Sequence, residues 1–108
     1  MEAVSHPRHD LDELMTHPVR FSMMALLAAA DRAEFGFVRD QVEVSDSVLS
    51  KQMTALQVAG DVKVFKGYVD NRPRTWLALT RQGRQRFERH LAALREIASG
   101  NSIAERAS

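Results

Sequence analysis

The chain reads as an α+β domain, mainly α, with one small β-hairpin set ahead of its last helix. Three observations predict this class. Apolar residues recur at helical spacing in three segments, 19–30, 49–56 and 87–98. One stretch, 62–79, is instead rich in β-branched and aromatic residues and is divided by Asp70-Asn71-Arg72-Pro73, a turn by composition. Finally, 108 residues suit a single compact domain with one modest core, which a dimer interface would enlarge.

Residues 1–9 have no apolar period and read as a flexible tail. Residues 10–15 have the pattern of one or two helical turns, with Asp10, Asp12 and Glu13 near the positive end. His17-Pro18 opens the first long helix, with proline at the first helical position. Val19, Met23, Leu26, Leu27 and Ala30 form one apolar face, and Phe21, Met24, Ala25 and Ala28 make the other side apolar too. A helix apolar nearly all round must be buried on several sides. A polar break at 31–34 follows, and Phe35 is expected in a very short strand. Residues 36–42 suit a short helix with Phe37, Val38 and Val42 inward. A Ser or Thr cap would be expected where Gly36 stands.

The 45–60 segment is the next helix. Ser45-Asp46-Ser47 supplies an N-cap oxygen, and Gly60 suits a left-handed ending. Leu49, Met53 and Leu56 make its apolar stripe. The opposite face carries Ser47, Lys51 and Thr54, with Ser50 beside them and Gln52 on the flank. Two helices joined by a few residues, the second with a small polar outer face, have the form of a helix-turn-helix, whose second helix lies in a DNA major groove. An ordinary amphipathic surface helix would show the same stripe.

Strands are expected at 62–69 and 74–79, with Leu77 and Leu79 on one face and Trp76 in the core. Thr80 caps a last helix running to about residue 98. Its Phe87, Leu91, Leu94 and Ala98 form a seam suited to another helix, so 81–98 is expected to dimerise. Residues 99–108 are small and polar, a second tail expected to fray.

The net charge of +1 conceals a division along the chain. Residues 1–60 hold five basic against nine acidic side chains, whereas 61–95 hold nine basic against three acidic. A localised basic region is the footprint of a polyanionic partner. Four of those arginines lie within 81–89, so a solvated helix face accounts for them equally well.

Other classes find little support. There is no Gly-rich phosphate loop, no cysteine nucleophile and no nucleophile-elbow serine, so an enzyme is not expected. His6, His9, His17 and His90 have no convincing ligand spacing, and no metal or cofactor is expected. The longest apolar run, 23–30, is too short to span a bilayer, and the N-terminus lacks a signal-peptide layout; a cytoplasmic protein is expected.

The string L-S-K-Q-M-T-A-L-Q-V-A-G-D-V at 49–62, then K-G-Y-V-D-N-R-P-R-T-W-L-A-L-T-R-Q-G-R at 66–84, resembles small bacterial and archaeal winged-helix transcriptional regulators. These are related to the multiple-antibiotic-resistance (MarR) and arsenic-resistance (ArsR) repressors. The opening L-D-E-L-M-T-H-P-V-R-F-S-M-M-A-L-L at 11–27 resembles their first helices, and the likeness spans residues 10–98. It implies a winged helix-turn-helix core at 10–80 with flanking N- and C-terminal dimerisation helices, in a homodimeric regulator of double-stranded DNA. The positions it assigns to DNA are Ser47, Ser50, Lys51, Gln52 and Thr54 on the helix and Asn71, Arg72 and Arg74 on the wing. Any small-molecule effector would have to bind within this fold or at its dimer seam. The rival reading is a winged-helix interaction or dimerisation module without specific DNA binding.

Overall fold

The computed structural model describes residues 5–100. Across them run α1 (Pro18–Ala29), β1 (Ala33–Glu34), α2 (Phe35–Val42), α3 (Asp46–Val58), β2 (Val62–Val69), β3 (Arg72–Leu79) and α4 (Arg81–Ser99). Two 3-10 turns precede them, at Pro7–Asp10 and Glu13–Thr16. The outer parts of both expected tails, 1–4 and 101–108, lie outside the described residues. The inner part of the first is ordered differently from the expectation. Pro7 fixes the start of a turn, His6 Nδ1 accepts the Arg8 N–H at 3.0 Å, and the turn packs on α4, where Arg89 meets Asp10 at 2.9 Å.

Pro18 and His17 open α1 as their chemistry dictates, with His17 Nδ1 accepting the Val19 N–H. Met23, Met24 and Leu27 are fully buried, and Phe21, Ala25, Leu26 and Ala28 pack half-buried around the same core. The helix is apolar on most sides because neighbours cover most of it. Here α1 meets α2, α3, α4 and β3.

The short strand and short helix sit one or two residues earlier than the apolar pattern suggests. β1 is Ala33–Glu34, and Phe35 begins α2. Starting there, the inward stripe is Phe35, Val38 and Val42, and Phe37 turns outward to 51% exposure. Gly36 is not the cap; Glu34 is, with no side-chain bond, because the chain enters the helix straight from a paired strand. Glu43, in the left-handed conformation at φ 59°, ends α2 and turns the chain into α3.

The sheet order is β1-β3-β2, all antiparallel. Asp70 and Asn71 both have positive φ, 51° and 63°, so the hairpin closes through a two-residue turn whose twist matches that of the strands. The turn is therefore tighter than its composition suggests, and Arg72 and Pro73 belong to β3. Pro73 is tolerated because β1 pairs only with Trp76 and Leu77, leaving the Pro73 stretch of β3 without a neighbour on that side. Leu77 and Leu79 face the helices beside Val62 and Val64. Trp76 lies on the other face, half-buried, with the Arg32 guanidinium 4.8 Å from its ring centroid and Gly67 beneath its edge. It is not the core residue its place in the strand suggested, because alternation with Leu77 sends it outward.

The link between α3, β2 and α4 is tight. Gly60, at φ 84°, ends α3. Thr80 caps α4 by accepting the Gly83 N–H at 2.9 Å while its hydroxyl donates to the Gly60 carbonyl at 2.6 Å. At Gly83 the helix presses on the chain just ahead of β2: a Cβ there would lie 1.9 Å from the Asp61 carbonyl oxygen. Asp61 itself is fully buried, held by Arg86 at 3.1 Å and by Gln82 at 3.1 Å, and Arg86 also reaches Asp12 at 3.2 Å.

Candidate nucleic-acid interface

The 46–58 helix is anchored at its N-terminal end. Ser45 Oγ accepts the Val48 N–H at 3.2 Å, and Arg39 of α2 bridges Asp40 and Asp46 at 2.9 and 2.8 Å, tying the two helices together. Those bonds, Asp40's first, raise the already high pKa of Arg39, so it is a fixed cation at the joint. Leu49 and Leu56 are fully buried and Met53 half-buried, which aims the opposite side outward.

On that outer side Ser47, Ser50, Lys51 and Thr54 are all exposed. The Thr54 hydroxyl donates to the Ser50 carbonyl at 2.9 Å, which leaves its oxygen free to accept. Ser47 Oγ lies 3.2 Å from Ser45 Oγ. The row is short, polar and singly charged. Gln52 does not belong to it. Only 7% exposed, it accepts a hydrogen bond from Arg20 Nε at 2.7 Å. The reason is spacing: Leu49, Gln52 and Leu56 stand at i, i+3 and i+7, so Gln52 shares the inward stripe.

The hairpin carries the second cluster. Asn71, Arg72 and Arg74 are exposed at or beside its tip. Arg72 and Arg74 share the sheet face of Gly67 and Trp76, and Arg74 Nε lies 3.8 Å from Glu34. The opposite face continues the Val62, Val64 side outward and presents Lys66 and the 75% exposed Tyr68. Lys66 Nζ donates to Thr75 Oγ1 at 2.7 Å. Neither Lys66 nor Tyr68 is among the positions that the resemblance assigns to DNA, but alternate residues counted outward from Val62 reach both.

The basic surplus of 61–95 is partly spent inside the molecule. Arg86 and Arg89 pair with Asp12, Asp61 and Asp10, and Arg84 donates to the Ala28 carbonyl at 3.3 Å. The cations without an acidic partner among the described residues include Lys51, Lys63, Lys66 and Arg72, which leaves positive charge on α3 and the hairpin.

Residues 19–98 match the model of the winged helix DNA-binding domain. The chain belongs to that family. An uncharacterized protein of Methanocaldococcus jannaschii is 24% identical over 79 residues, 73% of this chain and 86% of that protein. Among solved structures, a transcriptional regulator homologue from Pyrococcus horikoshii OT3 superposes with a TM-score of 0.77 at 27% identity, covering 82% of this chain and 88% of its own. A MarR-family transcriptional regulator from Silicibacter pomeroyi gives 0.64 at 26% identity, with 90% and 66% covered. In winged-helix terms, α2 and α3 are the helix-turn-helix pair and β2–β3 the wing.

The residues expected at the dimer seam divide. Phe87 is only 7% exposed and stacks on Phe21 with ring centroids 5.7 Å apart, so this winged helix uses it in its own core. Leu91 packs half-buried against that core. Leu94 is half-buried and Ala98 exposed, and neither joins the core cluster. His90, on the last helix among arginines, is 2% exposed; its Nδ1 accepts the Asp12 N–H at 2.9 Å and its ring meets Phe21 edge-on. Burial lowers its pKa against the pull of Asp12. Among the described residues no three His, Asp or Glu side chains are grouped to hold a metal, and no helix is long and apolar enough to cross a membrane.

Proposed function

We propose that this winged-helix protein is a sequence-specific transcriptional regulator that acts as a homodimer on double-stranded DNA. In this reading α3 lies in the major groove, where Ser47, Ser50, Lys51 and Thr54 meet base edges and phosphates. Asn71, Arg72 and Arg74 follow the adjoining minor groove or its phosphates, with Lys66 beside them. The observation that carries this reading is the exposed polar row Ser47, Ser50, Lys51 and Thr54 on α3, with Val58 the one large apolar side chain in line with it, at the far end of a helix that leads directly into an arginine-bearing hairpin. An interaction module would instead be expected to present an apolar patch there.

Selection of bound sites from random duplex DNA tests the reading, because it reports affinity, sequence preference and half-site symmetry together. A recovered motif with two related halves is the expected result; recovery of no motif favours the interaction module. In the same assay Lys51→Ala should bind more weakly while melting like the wild type. A phosphate role would weaken all sequences alike and reduce the salt slope by about one, whereas a guanine role would relax one base pair by roughly 1–3 kcal/mol.

A further inference from the structure

Arg20 stands where the pattern of α1 calls for an apolar residue. Arg20, Met23, Met24 and Leu27 are spaced i, i+3, i+4 and i+7, and the last three are fully buried. Arg20 is half-buried at the N-terminal end of that stripe, where α1 packs on α3. Its Nε donates to Gln52 Oε1 at 2.7 Å, and Gln52 is itself 93% buried, since only 7% of it is exposed. Among the described residues no carboxylate pairs with Arg20, although Arg39, Arg74, Arg86 and Arg89 each have one.

A partly desolvated cation without a counter-charge is costly to hold. Gln52 satisfies one donor and none of the charge. The guanidinium has five N–H donors in a rigid fork, so the four on its terminal nitrogens are left for another acceptor. Its location suggests which. On α3, moving around the helix from Gln52 away from Leu49, the next residues are Val48 and Ala55 and then Lys51, an exposed residue of the outer row. Arg20 thus sits at the border between the core stripe and the surface assigned to DNA, oriented by a side chain of the recognition helix itself.

We propose that Arg20 is a DNA-phosphate clamp contributed by α1 and held in position by Gln52 of α3. The inference rests on the DNA-binding reading above and adds a contact outside the helix face and the wing. A phosphate would supply both the missing charge and the bidentate acceptor that a guanidinium fork matches. Gln52 then acts on DNA only through Arg20, as a positioning residue.

The test uses the full chain and sheared duplex DNA titrated at several salt concentrations, since a phosphate contact needs no operator. Arg20→Met continues the methionine-rich stripe of α1 and should fold; Arg20→Gln, neutral and polar, is read the same way should it not. Either should lose at least roughly tenfold in affinity at low salt, and the slope of log affinity against log salt should shrink by about 0.9. Arg20→Lys should keep the slope and lose only part of the affinity. Gln52→Met should lose an intermediate amount alone and nothing further in the Arg20→Met background. Wild-type binding with unchanged affinity and slope in folded Arg20→Met or Arg20→Gln would overturn the clamp alone. Absence of salt-dependent binding by the wild type would overturn the DNA reading beneath it.

Discussion

Single residues decide where this fold is tight. Gly83 does so by having no side chain: a Cβ would meet backbone atoms of Asp61 at 1.9 to 2.9 Å, and backbone fixed between two elements cannot swing away. Gly83→Ala should therefore destabilise by about 3 kcal/mol, the upper end for an overpacked site. Urea unfolding with a lower midpoint and an unchanged m-value would register it; a midpoint like that of the wild type would mean that α4 can shift away from the Asp61 backbone. His90 acts through its protonation state. Its buried ring accepts the Asp12 N–H, which only a nitrogen without its proton can do; the Phe21 ring meets it edge-on, and the nearby Asp12 carboxylate is itself paired with Arg86. The folded protein thus holds the neutral imidazole, with a pKa below the ordinary 6.5. As pH falls below that value the unfolded chain takes up the proton first, so stability is complete above it and is lost as pH drops through the folded-state pKa. Melting temperature should fall across this acid limb, and His90→Gln, which keeps an acceptor and cannot titrate, should flatten it.

At the scale of elements, the chain announces its starts better than its interiors. His17-Pro18, Ser45 and Thr80 each begin a helix because each offers a cap or a fixed φ at the point where an apolar period begins, and these are local facts. The hairpin is local too. The contents of the faces are less legible, because a polar side chain on a buried stripe looks like a surface residue until its partner is known. Sequence spacing puts Gln52 on the flank of the outer face, yet its partner Arg20 lies 32 residues away on α1. The apolar pattern puts Phe37 inward, yet a helix start at Phe35 hands that place to Phe35 itself. The wing residues remain exposed in both readings, and Arg74 has only a loose, 44%-exposed contact with Glu34. Joint replacement Arg72→Ala with Arg74→Ala should leave stability within about 0.5 kcal/mol, as for surface changes generally. Duplex affinity should fall and its salt dependence flatten; collapse of the thermal melt with binding per folded molecule intact would make these arginines structural.

At the scale of the whole molecule, the core and the proposed assembly draw on the same helix. The first half of α4 is spoken for: Gly83 meets Asp61, Phe87 stacks on Phe21, and His90 fastens the N-terminal segment. Beyond Leu91 the apolar period continues through Leu94 and Ala98, with Ile97 beside it, and none of these three joins the core cluster. This continuation is the argument for a second copy. A helix end with nothing but solvent to face gains nothing from an apolar seam, whereas a two-fold mate would cover both seams at once. The mate would also set the spacing of the recognition helices near one turn of B-DNA, about 34 Å, and so require a near-palindromic site. Because Phe87 is committed inward, Leu94 is a cleaner probe of the seam than any residue nearer the core. Leu94→Glu should leave the winged-helix core folded, shift sedimentation from dimer to monomer, and weaken binding to a two-half site far more than to a half-site. Wild-type protein that sediments as a monomer at micromolar concentration would remove both the dimer and the palindrome, and leave α3 and the wing to bind DNA as a single unit.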